Sequence, residues 1–335
     1  MVWPTAVTLA AAVPVALLID HLLGEPPARW HPVVWMGHAL GWAGKRVAPL
    51  AGQAPEGRDL KSFWLSALVW FALFAITGWI ALVLQWALLQ LPGWWAAVGL
   101  GLCLKPLLAW RMLRSEVLAV EAALGQSLGA GRERLSWLVS RDVSALTESQ
   151  VRESAIESLA ENLNDSVVAP LFWFAVAGLP GAAMYRLANT ADAMWGYRTV
   201  RGGRQWEWAG KWAARADDVL NWLPARLCGL VLAACGGVQV LRALPAQARL
   251  TPSPNGGWPM AAMALALGVR LGKPGVYALN AGGREPESAD VGQAVGRCQQ
   301  LLWVVLAAAA AGLVGVVVAT EAASAFMPVA MGALP

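Results

Sequence analysis

The stretch from Ser140 to Trp173, SRDVSALTESQVRESAIESLAENLNDSVVAPLFW, carries a carboxylate-rich helical pattern straight into an apolar segment. It puts candidate chemistry where a membrane begins. On a helical wheel, Ala155, Ile156, Leu159, Leu163 and Val167 gather on one side. Glu153, Glu157, Glu161 and Asp165 follow one another at i+4 on another side, with Ser154, Ser158 and Asn162 beside them. Like charges at that spacing repel by about 0.2–0.5 kcal/mol each. The stripe therefore reads either as a solvated face screened by water, or as a face that binds a hard metal or an amine.

Composition decides the medium. Of 335 residues, 58% are hydrophobic and 14% are charged, against about 25% charged in soluble domains. The fold expected is all-α: a polytopic membrane protein of five or six segments, read as one membrane domain over 1–335. Polar stretches at 111–166, 186–218 and 244–300 are expected as loops. Net charge is +4, but the basic residues lie in loops and no basic run interleaves with aromatics, which argues against a nucleic-acid partner. Cys103, Cys228, Cys235 and Cys298 form no CxxC pair, so neither zinc nor a disulfide framework is implied. Many of the 20 tryptophans flank apolar segments, as interfacial belts do. Stacking on a large flat ligand is the other use for them.

The first apolar segment, Trp3 to Ile19, lacks the basic region of a signal peptide and reads as a retained membrane helix. Asp20 at its end is either a functional group or an interfacial carboxylate. His21, His31 and His38 are spaced too irregularly to argue for a metal site. Phe63–Leu91 and Trp94–Trp110 are joined by Pro92-Gly93, which has no Lys or Arg, so both flanking loops are expected on the cytoplasmic side. Val167–Tyr185 is interrupted by Pro170 and by Gly178-Leu-Pro-Gly181, and is free to cross or to fold back. Leu220–Leu241 and Leu301–Thr320 are the remaining expected spans. Asn189, Thr190 and Asp192, and separately Asp217, Asp218 and Asn221, form small clusters of oxygen ligands. Ser253-Pro254-Asn255-Gly256-Gly257, ahead of a short apolar helix expected over Met260–Leu271, is an anion cradle or a simple turn; no P-loop is present.

Five blocks carry a family resemblance: DHLLGEPPARWHPVVWMG (20–37), LSWLVSRDVSALTESQVRESAIESLAENLNDSVVAPLFW (135–173), YRLANTADAMWGYR (185–198), ARADDVLNWLPARL (214–227) and TPSPNGGWPMAAMALALGVRLG (251–272). In that order they resemble the adenosylcobinamide-phosphate synthase family of cobalamin biosynthesis. Glu25 stands where an aspartate is usual, Ser166 where glycine is usual, and Met260 where the family typically has a glutamate. The resemblance implies ATP-dependent amide formation between a carboxylate of adenosylcobyric acid and the amine of aminopropanol or its phosphate, with Mg²⁺ and ATP required. The match identifies the blocks and not each task; for that chemistry Asp192, Asp217 and Asp218 are expected as metal ligands, with Glu161, Asp165 and Arg141 catalytic. Glu161 would take the proton of the attacking amine. His31, Asn162, Asn189, Arg198, Ser253 and Asn255 are expected to bind substrate. Location in a bacterial inner membrane with a cytoplasmic site, and contact with other enzymes of the pathway, follow on the same footing. A corrinoid or anion carrier and a non-catalytic scaffold are the competing readings.

Overall fold

The computed structural model describes residues 5–55 and 57–326. Twelve helices are present among them: α1 Thr5–Leu23, α2 Pro32–Val47, α3 Leu60–Leu89, α4 Gly93–Leu104, α5 Trp110–Leu124, α6 Leu128–Leu135, α7 Glu148–Leu163, α8 Ala169–Trp195, α9 Lys211–Ala234, α10 Val238–Ala248, α11 Gly257–Leu267 and α12 Ser288–Phe326. Two small antiparallel hairpins, β1–β2 (Val200–Arg201 with Arg204–Gln205) and β3–β4 (Leu271–Lys273 with Tyr277–Leu279), complete the fold.

Five helical stretches are long and apolar enough to cross a membrane: Thr5–Leu23, Leu60–Leu89, Gly93–Leu124, Glu148–Trp195 and Ser288–Gly312. Large apolar side chains stay outward along α3, among them Trp64, Leu68, Phe71, Trp79 and Trp86. In water this would be a costly apolar patch; against lipid it is the favourable surface. The bundle is an all-α polytopic membrane protein, as composition predicts.

Several boundaries move. The expected loop 111–166 is mostly helix, because Val117, Val120, Leu124, Leu135, Val151, Ile156 and Leu159 join one buried cluster with α1 and α11. Helix α7 starts at a capping box in which Thr147 and Gln150 satisfy each other's backbone N–H groups. The 186–218 stretch is the end of α8, the β1–β2 hairpin and the start of α9. The expected span 220–241 is corrected: α9 runs from 211 to 234, the chain turns at Gly237 with φ of 97°, and α9 is not among the five spanning stretches. The helix expected over 260–271 ends at Leu267, at a left-handed Gly268, and residue 271 opens β3. The span 301–320 is part of α12, which starts thirteen residues earlier at Ser288.

The 167–185 segment does not run straight on but folds back at Ala177–Gly178, so that Arg186 returns to hydrogen-bond distance of Asp165 and Ser166. It continues α7 through a π turn at Asn164–Val168, where the N–H of Ala169 reaches the carbonyl of Asn164. Further on, α8 kinks at Ala177 and Gly178. Gly178 has φ of +65°, which glycine adopts without strain. Gln85 of α3 repairs the break by accepting the Leu179 N–H at 2.7 Å.

Candidate functional site

The π turn fixes the floor of the site. A wider turn displaces backbone carbonyls from the helical ladder, and here outside donors take them. The Ala109 N–H donates to Ser166 O at 3.1 Å, and Arg186 Nη1 donates to Asp165 O at 3.2 Å and Ser166 Oγ at 3.0 Å. Buried Asn164 donates both to Asp165 Oδ1 and to Asn221 Oδ1 of α9, each at 2.9 Å. Tyr185 OH donates to the same Asn221 oxygen at 2.9 Å. Asn221 Nδ2 in turn donates to Asp217 Oδ2 at 3.1 Å, and Asn189 Nδ2 donates to Asp217 Oδ1 at 3.3 Å. Neutral amides thus orient the Asp217 carboxylate without neutralising it. Burial, and then repulsion from Asp165 and Asp192, pushes the Asp217 carboxyl well above the usual range.

Above this floor lies a cavity of about 380 Å³ lined by Glu161, Asp165, Asp192, Arg198, Asp217, Asp218, Asn221 and the loop 252–256. A second, of about 220 Å³, is lined by Ser140, Arg141, Ser154, Glu157, Ser158, Glu161, Asn162, Met260, Lys273 and Tyr277. Glu161 lines both. Glu153 and Glu157 are 3% and 5% exposed, so the solvated-face reading of the stripe is wrong. Arg270 pairs with Glu153 at 3.1 Å, while Arg141 donates to Ser154 and lies 3.4 Å from Glu157. Tyr277 faces the same wall, and burial followed by the charge of Glu157 raises its phenol.

The loop 252–256 is held by Asn255, which donates to Asp218 O at 2.8 Å and accepts from Arg226 at 3.1 Å. The Ser253 hydroxyl accepts from the N–H groups of Asn255 and Gly256 at 3.2 and 3.0 Å. Two amides of the expected anion cradle are therefore already engaged. Gly256 is required by proximity: a Cβ there would lie 2.9 Å from Glu161 Oε1.

Most residues singled out in the sequence meet here. Glu161, Asp165, Asp192, Arg198, Asp217, Asp218, Ser253 and Asn255 line the larger cavity, and Arg141 and Asn162 the smaller. Asn189 stands behind Asp217. His31 lines neither cavity. It caps α2 by accepting the Val33 N–H at 3.3 Å, and its Nε2 lies 3.1 Å from Glu25. Lys273 and Tyr277 were missed because a three-residue strand leaves no periodic signal. Asn164 and Arg186 sit inside matched blocks, but their roles depend on the π turn. Among the described residues, no three His, Cys, Asp or Glu side chains converge enough to hold a metal ion. The acidic groups surround a space instead.

Comparison with known proteins bears on this arrangement. A family profile described as CobD/Cbib protein matches residues 13–304. The chain belongs to the CobD/Cbib family. "Cobalamin biosynthesis protein CobD" of Chromobacterium violaceum is 40% identical over 92% of this chain and 98% of its own. "Probable cobalamin biosynthesis protein CobD" of Pyrococcus abyssi is 41% identical over 84% and 88%. That of Methanothermobacter thermautotrophicus is 37% identical over 79% and 84%. No solved structure matches. The CobD/Cbib match takes in every residue of both cavities.

Proposed function

We propose that this CobD/Cbib protein acts in cobalamin biosynthesis as an ATP-dependent ligase, joining a carboxylate of adenosylcobyric acid to the amine of aminopropanol or its phosphate. The observation that carries the reading is the position of Glu161, shared by two adjoining cavities. A bond-forming reaction between two substrates needs such a meeting point.

A carboxylate is a poor acyl donor. Transfer of the γ-phosphoryl group of ATP to the corrinoid carboxylate releases ADP and gives an acyl phosphate. Attack by the amine then forms the amide and expels phosphate. The larger cavity suits the phosphates and the smaller one the amine. Glu161 accepts the proton lost from the attacking nitrogen, and Gly256 leaves room for that carboxylate. Arg198 and Arg141 hold anionic groups, one in each cavity. Asn189 and Asn221 keep Asp217 aimed into the larger cavity.

The donor set fits Mg²⁺ carried by a nucleotide. No hydrogen bond or ion pair engages the side-chain oxygens of Asp192 or Asp218 among the described residues, and Asp217 meets only neutral amides. Mg²⁺ typically takes one or two carboxylates plus phosphate oxygens and water, so spaced carboxylates suit it better than a closed cage. Asp192, Asp217 and Asp218 would hold it, and it would supply charge neutralisation at the phosphates. The corrinoid exceeds either cavity and would lie over their mouths, with a membrane setting and a cytoplasmic opening where ATP is available.

The test is ADP release by purified protein in detergent, given adenosylcobyric acid, aminopropanol phosphate, ATP and Mg²⁺, with each omitted in turn. Release that requires all four, matched by amide product, is expected. Corrinoid binding without nucleotide turnover would favour a carrier or scaffold instead. Full activity in both Glu161→Gln and Asp217→Asn would remove the residue assignment.

A further inference from the structure

A third cavity, of about 250 Å³, lies on the far side of the Met194–Gly196 segment, between the C-terminal half of α2 and the β1–β2 hairpin. Its floor is apolar: Met194 with Trp195 and Trp206, whose rings lie 6.1 Å apart and 21° from parallel. Its rim is basic: Lys45, Arg201 and Arg204. None of the three pairs with a carboxylate among the described residues. Both arginines are held in place, Arg204 by donating to Ala48 O at 2.5 Å and Arg201 by stacking over Tyr197 at 3.9 Å. Three cations above an indole floor, two of them held in place and none with a protein counter-charge among the described residues, form a site made for an anion that brings an apolar part with it.

The surroundings say which anion. Trp42 and Trp64 are 62% and 61% exposed at this end of the bundle, near the start of spanning helix α3. Arg46 stacks over Trp42 at 3.8 Å, and Lys211 lies 3.3 Å from the Trp208 ring. Exposed indoles with flanking cations mark the headgroup level of a bilayer. A nucleotide would find no carboxylate on these walls to share a metal, and an inorganic ion would leave the indole floor uncovered. We propose that the groove between α2 and the β1–β2 hairpin binds the phosphate of an anionic phospholipid, with its glycerol and upper acyl carbons against Trp195 and Trp206. Zwitterionic lipids are disfavoured because they carry their own cation into a site that already has three.

The inference is independent of the ligase reading and is tested by binding. Purified protein in detergent is titrated with short-chain phosphatidylglycerol and phosphatidylcholine by calorimetry. Three proteins are compared: the wild type, Lys45→Gln/Arg201→Gln, and Arg242→Gln/Arg249→Gln, which removes the same charge from exposed positions of α10 and the residue after it. Arg204 is left intact because it holds the Ala48 carbonyl. Expected are preference for phosphatidylglycerol, about 30-fold weaker binding in the groove variant, and unchanged binding in the α10 variant. Equal binding of the two lipids, equal loss in both variants, or displacement by millimolar inorganic phosphate would each overturn the proposal. Should the groove variant fail to fold, a photoreactive phosphatidylglycerol decides on the wild type: crosslinks within 41–45 or 194–206 support the site, and crosslinks confined elsewhere overturn it.

Discussion

The protein buries two sets of acidic side chains and treats them in opposite ways. Behind the C-terminus of α1, Asp20 and Glu25 share Lys105, at 3.4 and 2.8 Å; His31 adds a contact to Glu25 at 3.1 Å, and the Arg111 N–H donates to Asp20 at 2.8 Å. Arg111 also donates to the carbonyls of His21 and Leu22, closing the end of α1. Every charge in this set has a partner from another part of the chain, and the result is a locked junction between α1, α2 and the 105–109 turn. The carboxylates around the larger cavity have amides and space. Paired buried charges hold a fold together, whereas buried charges left facing a cavity are held ready for a ligand.

The contrast breaks most visibly at Lys105. Lys105→Met should leave two buried carboxylates facing each other and cost about 3–5 kcal/mol, seen as a large fall in the unfolding temperature in detergent. Next in size, Glu161→Gln should lower amide formation at least about 100-fold while leaving thermal stability equal or higher, because an uncompensated buried charge is removed. A stability loss in Glu161→Gln like that of Lys105→Met would erase the distinction between the two sets.

Glu25→Gln sharpens it through pH. Burial tends to raise the Glu25 carboxyl, but the hydrogen bonds from His31 and Lys105 outweigh it and hold the group below its ordinary value. A carboxyl lowered on folding contributes stability that is present above its unfolded value and is lost as pH falls through its folded one. The variant should therefore be about 2 kcal/mol less stable than the wild type near pH 7, and the gap should close below about pH 4. The smallest effect is expected at Ser166→Gly, which deletes the hydroxyl that accepts from Arg186. A loss of about 1 kcal/mol in unfolding free energy would mark that contact as support for the π turn.

Much of the cavity was legible because helical period reports which residues share a face: Glu153, Glu157, Glu161 and Asp165 do lie along one side of the α7 run. Period does not report what that side meets. The stripe reads equally as a wet surface until α9, α11 and the loop 252–256 close over it. His31 lies outside both cavities, where it caps α2 and contacts Glu25 at 3.1 Å. The span placed at 220–241 failed for a similar reason. One face, with Ala225, Cys228 and Leu232, is buried where α9 packs on α11 and α8, while Trp222, Leu223, Leu227 and Leu230 stay exposed, and Gly237 turns the chain before a crossing is complete.

The π turn at Asn164–Val168 has one consequence that no side chain can imitate. From Glu148 the helical run passes through the π turn to the break at Ala177–Gly178, and the widened turn takes up one residue more than an α-helix would. The residues between it and that break are rotated by about 100° relative to an unbroken helix. Glu161 and Asp192 face the same cavity because the chain then reverses at Ala177–Gly178 and brings the second half of α8 back alongside the π turn. Loss of Val167 or Val168 would keep every polar group of the site in the sequence and still shift the register in which the returning half of α8 meets Asp165 and Ser166.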